Sequence, residues 1–298
     1  MGPFVRSAPE AVVPVPGAPA ECSRPRPTGR TLYFGENPHL DGGSELVGLS
    51  LIIPAWNEED RLGRTLREHL PALEARGDPF EVIVVADGQA DRTAEVASSF
   101  ADRGVRVLNF PRKLGKGGAV LAGLREAKFD YVGYLDADGP IPPVEVARLT
   151  EALAEFDCVV ASRWVRGSTI VRQEPWFNLL AGRGWNFLTR SLLFLPLRDT
   201  QCGAKFFRRS VLMPALRAVA LTNRAFDVDL LYHLRKRGNH FAEMAVTWKH
   251  DPDSRMPIGR AVPVMFLSLV GVRLMNLPIA DRVPRRWVRW FLEQWGSS

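Results

Sequence analysis

Asp136-Ala137-Asp138 follows directly on the apolar run YVGYL. Two carboxylates two residues apart on a turn can reach one divalent cation from the same side. Such hard oxygen donors suit Mg2+ or Mn2+, which keep positions open for phosphate oxygens. The same aspartates could instead cap the next helix. Asp87 stands between VIVVA and Gly88, where a carboxylate can accept from a nucleobase imide N–H or merely turn the chain. Glu58 is either a first-turn helix acid or a contact to a ribose or base. In Leu114-Gly115-Lys116-Gly117-Gly118, a Walker loop would need Gly at 110 and Ser or Thr at 117. A dinucleotide fingerprint would need Gly at 120. Neither is met, which disfavours ATP hydrolysis and NAD chemistry and leaves a flexible loop carrying Lys116 into a helix N-terminus. Arg163, Arg166 and Arg172 form one cationic stretch and Lys249, His250 and Arg255 another. Arginine matches phosphate oxygens in bidentate fashion.

The elements that must position these residues alternate. LSLIIP from Leu49 reads as a buried strand. Asn57 is placed to cap the helix after it, with Glu58, Glu59 and Asp60 in the first turn. Leu62, Leu66, Leu70 and Leu73 fall on one face of that helix. Strands are predicted at 80–86, 105–110, up to Asp136, and 158–162, with helices at about 91–100, after the loop 111–118, and 143–156. The pattern means an α/β fold, a mostly parallel sheet with helices on both faces, and its polar residues gather at the carboxyl edge where ligands bind. Beyond Trp164 the pattern predicts helices at 176–194, 211–219 and 228–237 and strands at 204–208 and 241–248.

Composition bounds the rest. With 46% hydrophobic and 24% charged residues, a mostly disordered chain, a collagen-like fibre and a coiled coil are ruled out. Lys and Arg number 39 against 33 Asp and Glu, a net charge of +6. That balance favours anionic partners without choosing among them. The basic residues are dispersed and no nucleic-acid-reading module is visible, so nucleic acid is not expected. Cys22, Cys158 and Cys202 make neither a disulfide framework nor a zinc site, which fits a reducing, cytoplasmic setting. Residues 1–46, rich in Pro, Gly and Ala, read as a disordered tail, and no secretory leader is expected. The uncharged run 261–272 is too short to span a bilayer.

Taken in order, IIPAWNEE (52–59), VVADGQADRT (84–93), LGKGGAVLAG (114–123) and YLDADG (134–139) resemble glycosyltransferase family 2, enzymes of the GT-A fold that use nucleotide-diphospho-sugars. ASR (161–163), RDTQCGAKFF (198–207), AFDVDLLY (225–232) and EMAVTWKHDPDSRM (243–256) are similar to its dolichyl-phosphate β-glucosyltransferase and polyprenyl-phosphate branch. The resemblance implies a catalytic domain over 47–256. Pro54, Asn57, Glu58, Asp87, Lys116, Asp136, Ala137, Gln201 and Lys249 would hold the nucleotide-sugar, and Asp136 and Asp138 the metal. Asp199, Gln201 and Asp229 would line the sugar and acceptor region. Arg163, Arg172 and Arg183 would face the acceptor phosphate, and Asp138, Asp229 and Arg163 would carry catalysis. Departures include Ala86 for a usual Asp, Gln89 for a usual Ser, and Asn178 and Gly182 for acceptor-phosphate Arg and Ser.

The activity so implied is inverting transfer of a hexose, glucose from UDP-glucose, to a polyprenyl or dolichyl phosphate. The enzyme would lie at the inner face of the membrane, with 257–298 as apolar or amphipathic interface helices. A hydroxyl acceptor would require a base, for which Asp229 is the candidate. The alternatives are a family 2 transferase acting on a cell-envelope glycan or small molecule, and an inactive nucleotide-binding scaffold.

Overall fold

The computed structural model describes residues 13–14, 47–88, 91–171, 176–249 and 258–276. Strands β2 (Leu49–Ala55), β3 (Phe80–Asp87), β4 (Val105–Phe110) and β5 (Tyr131–Leu135) are joined by helices α1 (Glu59–Ala75), α2 (Thr93–Ser98) and α3 (Gly115–Arg125). After β5 come α4 (Pro143–Glu151), β6 (Cys158–Ser162), β7 (Thr169–Ile170), α5 (Trp176–Leu193) and β8 (Ala204–Arg208). The chain continues through α6 (Arg209–Leu216), α7 (Phe226–Lys236), β9 (Phe241–Ala245), β10 (Thr247–Trp248) and α8 (Ile258–Met275). With the two-residue β1 (Val13–Pro14), the main sheet has the order β1-β9-β6-β8-β5-β2-β3-β4. β2 is parallel to both β3 and β5, whereas β8 runs antiparallel between β5 and β6.

Alternation along the strands explains the layers. Leu51 and Ile53 of β2 and Val82 and Val84 of β3 pack with Leu62, Leu66, Leu70 and Leu73 of α1, as their spacing predicts. Ile52, Ile83 and Val85 point the other way, onto Val120, Leu121 and Leu124 of α3. The chain leaves β2 toward β3, and β5 lies on the opposite side of β2. That reversal opens a crevice between the carboxyl ends of β2 and β5.

Two expectations are revised. The helix expected over 91–100 is α2 followed by a 3-10 turn at Ala101–Arg103. Ser98 and Ser99 turn their hydroxyls back onto the carbonyls of Ala94 and Val96, which competes with continuation of the helix. The strand expected over 241–248 divides at Val246: β9 stays beside β6, and β10 leaves to pair with β7. The tail expected at 1–46 lies outside the described residues except for Val13–Pro14, which pair antiparallel with β9. Residues 277–298 of the expected C-terminal segment also lie outside them. Among the described residues, no helix is long and apolar enough to cross a membrane.

Candidate active site

A cleft of about 610 Å³ opens at the crevice between β2 and β5. Pro54 to Glu58 line it from the end of β2, Asp87 from β3, Lys116 from α3 and Asp136 to Asp138 from β5. Every residue before position 200 that was expected at the nucleotide-sugar and its metal (Pro54, Asn57, Glu58, Asp87, Lys116, Asp136, Ala137, Asp138) therefore meets here. The sheet topology requires it, since their strands all end at this crevice. A shallower depression of about 680 Å³ near α2 is lined by Ala94, Glu95, Ser98, Ser99, Val107 and Asn109. It holds one carboxylate and no constellation that could do chemistry.

Asp87 is buried, and its two carboxylate oxygens accept from the backbone N–H groups of Leu114 and Gly115, the latter at 2.9 Å. It therefore anchors the start of α3 as well as lining the cleft, and each oxygen keeps a further lone pair. The expected flexible loop is in fact the first turn of α3, packed on Thr222 and Asn223. A Cβ on Gly117 would stand 2.4 Å from the Asn223 carbonyl, so glycine is there for close approach, not for cradling phosphate.

Lys116 Nζ lies 2.7 Å from Asp136 Oδ1. Burial works against the ammonium, but Asp136 beside it raises its pKa above the ordinary lysine value. The Asp136 carboxylate rests on Gly203, where a Cβ would come within 2.1 Å of Oδ2. Ala137 is held by Thr65, whose hydroxyl donates to its carbonyl at 2.7 Å. Asp138 Oδ1 is buried with no hydrogen-bond partner. Burial, and then the charge of Asp136, push the Asp138 carboxyl up to about 6. A buried, orphaned carboxylate oxygen beside a second carboxylate fits a divalent cation. Among the described residues no third His, Cys, Asp or Glu joins them, leaving positions for other oxygen ligands.

Glu58 forks onto Arg61 at 2.7 and 2.8 Å, yet burial outweighs that pair and raises its carboxyl to about 7. Asn57 lines the cleft but does not cap α1. It adopts φ 59°, and the first amides of the helix are met instead by Thr93 and Asp91. Trp56, Lys113, Asp60, Arg61 and Arg224 also line the cleft. Lone aromatic and basic residues carry no spacing signal, and sequence reasoning passed over all of these as binding residues.

The remaining expected residues divide. Gln201 lies beside Asp227, with Nε2 3.4 Å from Oδ1, and buried Lys205 donates to the other Asp227 oxygen at 3.2 Å. Asp199, fully buried, holds Arg163 in a two-point ion pair at 2.8 and 3.1 Å. The exposed Arg183 lies 5.1 Å from the Trp164 ring, which Arg163 also faces at 5.7 Å, so these two cations share one indole. Neither borders the cleft. Arg172 lies outside the described residues. Lys249 is exposed and outside the cleft lining, although its backbone N–H donates to the Pro140 carbonyl at 2.8 Å, beside the aspartate turn.

Asp229 is a correction. Its carboxylate is fully buried away from the cleft lining and accepts from the N–H groups of Ala220 and Leu221 at 2.8 and 3.0 Å. His233 Nε2 stands 3.2 Å from the other oxygen, in a geometry that makes no hydrogen bond. Two residues along α7 is a turn of about 200°, so the acid that meets Gln201 is Asp227. Asp229→Ala is expected to cost about 1–3 kcal/mol in urea unfolding by stranding two amides. Substrate turnover at low temperature should persist, and a variant as stable as wild type but inactive would contradict this structural role.

Residues 50–214 match the model of the family described as Glycosyl transferase family 2. The chain belongs to this family. It is 33% identical over 251 residues to Dolichyl-phosphate beta-glucosyltransferase of Homo sapiens, covering 79% of this chain and 78% of that protein. To Glycosyltransferase AglD of Haloferax volcanii it is 31% identical over 247 residues, covering 80% of this chain and 39% of that one. Among solved structures, glucosyl-3-phosphoglycerate synthase from Mycobacterium tuberculosis, in complex with Mn2+, UDP and glucosyl-3-phosphoglycerate, superposes with a TM-score of 0.58. That alignment has 20% identity and covers 76% of this chain and 78% of that one. The likeness shows the fold, GT-A, and this family 2 member is accordingly a nucleotide-sugar-dependent glycosyltransferase.

Proposed function

We propose that this glycosyltransferase moves glucose from UDP-glucose to a polyprenyl phosphate, with inversion at the anomeric carbon. The observation that carries the donor half is the unpartnered, buried Asp138 oxygen beside Asp136 at the end of β5. The acceptor half is supported by the similarity to dolichyl-phosphate glucosyltransferases along most of the chain.

In this reading Asp136 and Asp138 hold Mg2+ or Mn2+, consistent with the Mn2+ in the complex of the structural relative. When bound, the cation supplies neutralisation of the charge that develops on the departing nucleoside diphosphate. The chain's own residues do the rest. Asp87 meets the base from the floor of the cleft, Glu58 and Asn57 face the ribose side, and Lys116 offers charge to the diphosphate. Gln201 and Asp227 lie toward the sugar. A phosphate acceptor is already anionic at neutral pH, so it needs orientation by cations more than a general base. Arg163, Arg183 and Arg172 are the candidates.

Contact with the membrane surface is part of the proposal. Arg183, Phe187, Arg190 and Phe194 are all exposed on α5 or at its end, at spacings that make one helical stripe. Phe266 and Leu274 are exposed on α8, and Arg273 lies 5.3 Å from the Phe194 ring. Alternating cations and large apolar side chains suit an anionic lipid interface.

One observation favours a second reading, a glycan or small-molecule acceptor: the guanidinium of Arg163 is already committed to Asp199. A hydroxyl acceptor needs a proton acceptor, and Asp227 is then better placed than Asp229. The test is transfer from labelled UDP-glucose to polyprenyl phosphate in detergent with Mg2+ or Mn2+. A glucosyl-lipid product supports the proposal. Metal-dependent release of UDP without a lipid product overturns the acceptor, and transfer only from another nucleotide-sugar overturns the donor.

A further inference from the structure

Among the described residues, four cations line the cleft: Arg61, Lys113, Lys116 and Arg224. The first three are engaged within it. Arg61 forks onto Glu58, Lys113 sits 3.2 Å from the centre of the Trp56 ring, and Lys116 pairs with Asp136. Arg224 has an exposed side chain and lies close enough to Lys116 for their charges to oppose each other. Two cations brought together at the mouth of a cleft gain most from an anion carrying more than one charge.

The backbone under Arg224 is fixed on three sides. The Gly118 N–H donates to the Thr222 carbonyl at 2.8 Å, and Asn223 Oδ1 accepts from the Ala225 N–H at 2.9 Å. Asn223 Nδ2 donates to the buried Ser268 hydroxyl of α8 at 2.8 Å. The near-contact of Gly117 with the Asn223 carbonyl leaves no slack between α3 and this loop. An otherwise solvated side chain is thus delivered from a rigid stem to the Lys116 end of the cleft, a preorganised arrangement for binding.

Resting on the reading of a nucleoside diphosphate-sugar donor, we infer that Arg224 binds the donor's diphosphate, its guanidinium fork taking phosphate oxygens while Lys116 contributes a point charge. No bond to the nucleoside is involved, so its contribution is confined to the phosphates.

The test is calorimetric titration of wild type, Arg224→Ala and Arg224→Lys with UDP and with uridine, in Mg2+. Arg224→Ala should lose roughly ten- to a hundredfold in affinity for UDP while its affinity for uridine stays within about twofold. Arg224→Lys, which keeps the charge and loses the fork, should fall between. An unchanged UDP affinity overturns the inference, as does an equal loss for UDP and uridine, which would mean that the loop had moved. Should wild type bind GDP and not UDP, the UDP-glucose reading fails. The same comparison made with GDP and guanosine then decides Arg224 separately.

Discussion

Asp138→Asn is expected to lower kcat for sugar transfer by about a hundred- to a thousandfold or more, with the fold intact. The substitution keeps the shape of the side chain and removes one charge from the carboxylate pair that fits a cation. The charge state of the site makes the expectation sharper. Burial and the neighbouring Asp136 raise Asp138 from an ordinary 3.8 to about 6, and burial raises Glu58 from 4.5 to about 7. Both folded values lie above the unfolded ones, so the folded chain holds protons that the unfolded chain has released. Their contribution to stability is therefore fully present below about pH 4 and is lost as pH rises toward 7. A divalent cation reverses that loss by replacing the proton. Mg2+ should accordingly raise the melting temperature more at pH 7.5 than at pH 5, and the rise should vanish in Asp138→Asn. An equal rise in the variant, or full transfer activity, would remove Asp138 from the metal site.

The second large effect is on stability. Asp199 accepts from the Arg163 side chain at two points, from the Arg163 backbone N–H at 3.1 Å and from the Gln201 N–H at 3.1 Å. Its own N–H donates to buried Glu243 at 2.7 Å. Asp199→Ala would take the carboxylate from a largely buried guanidinium and strand two amides, at a cost of about 3–5 kcal/mol. Urea unfolding measures it, and a loss below about 1 kcal/mol would contradict the role. The pH dependence has the opposite sign to that of Asp138. Burial opposes ionisation of Asp199, but Arg163 outweighs it and holds the pKa below 3.8. The pair's contribution is present above the unfolded aspartate value and is lost as pH falls through the folded one. Wild type should therefore lose more stability than Asp199→Ala between pH 4 and pH 2. Because the loop from Asp199 to Gly203 also carries Gln201 and underlies Asp136, the variant should lose turnover before it unfolds.

Much of this protein was legible in order along the chain. Apolar runs ending in acids at 87 and 136, separated by amphipathic helices, determine a parallel sheet with a polar carboxyl edge, because strand ends are where side chains escape the two covering layers. The nucleotide and metal candidates are local features of those ends, so Glu58, Asp87, Lys116, Asp136 and Asp138 could be named from sequence. The long-range partners could not be. Whether Asp227 or Asp229 meets Gln201 depends on the rotation of α7 against β8 and the 220–223 loop, which a period of 3.6 residues leaves open to packing. The segment Gly115 to Gly118 reads as a flexible loop, since nothing in it reveals the carbonyl of Asn223 lying against Gly117. Arg163 and Asp199, 36 residues apart, became a pair only when β6 and the loop before β8 met. Arg224 entered the cleft only because α3, α7 and α8 clamp the short segment that carries it. Sequence by itself determined the strand ends and the groups they carry. Tertiary packing alone decided which of the other charges are spent on one another and which remain for a ligand.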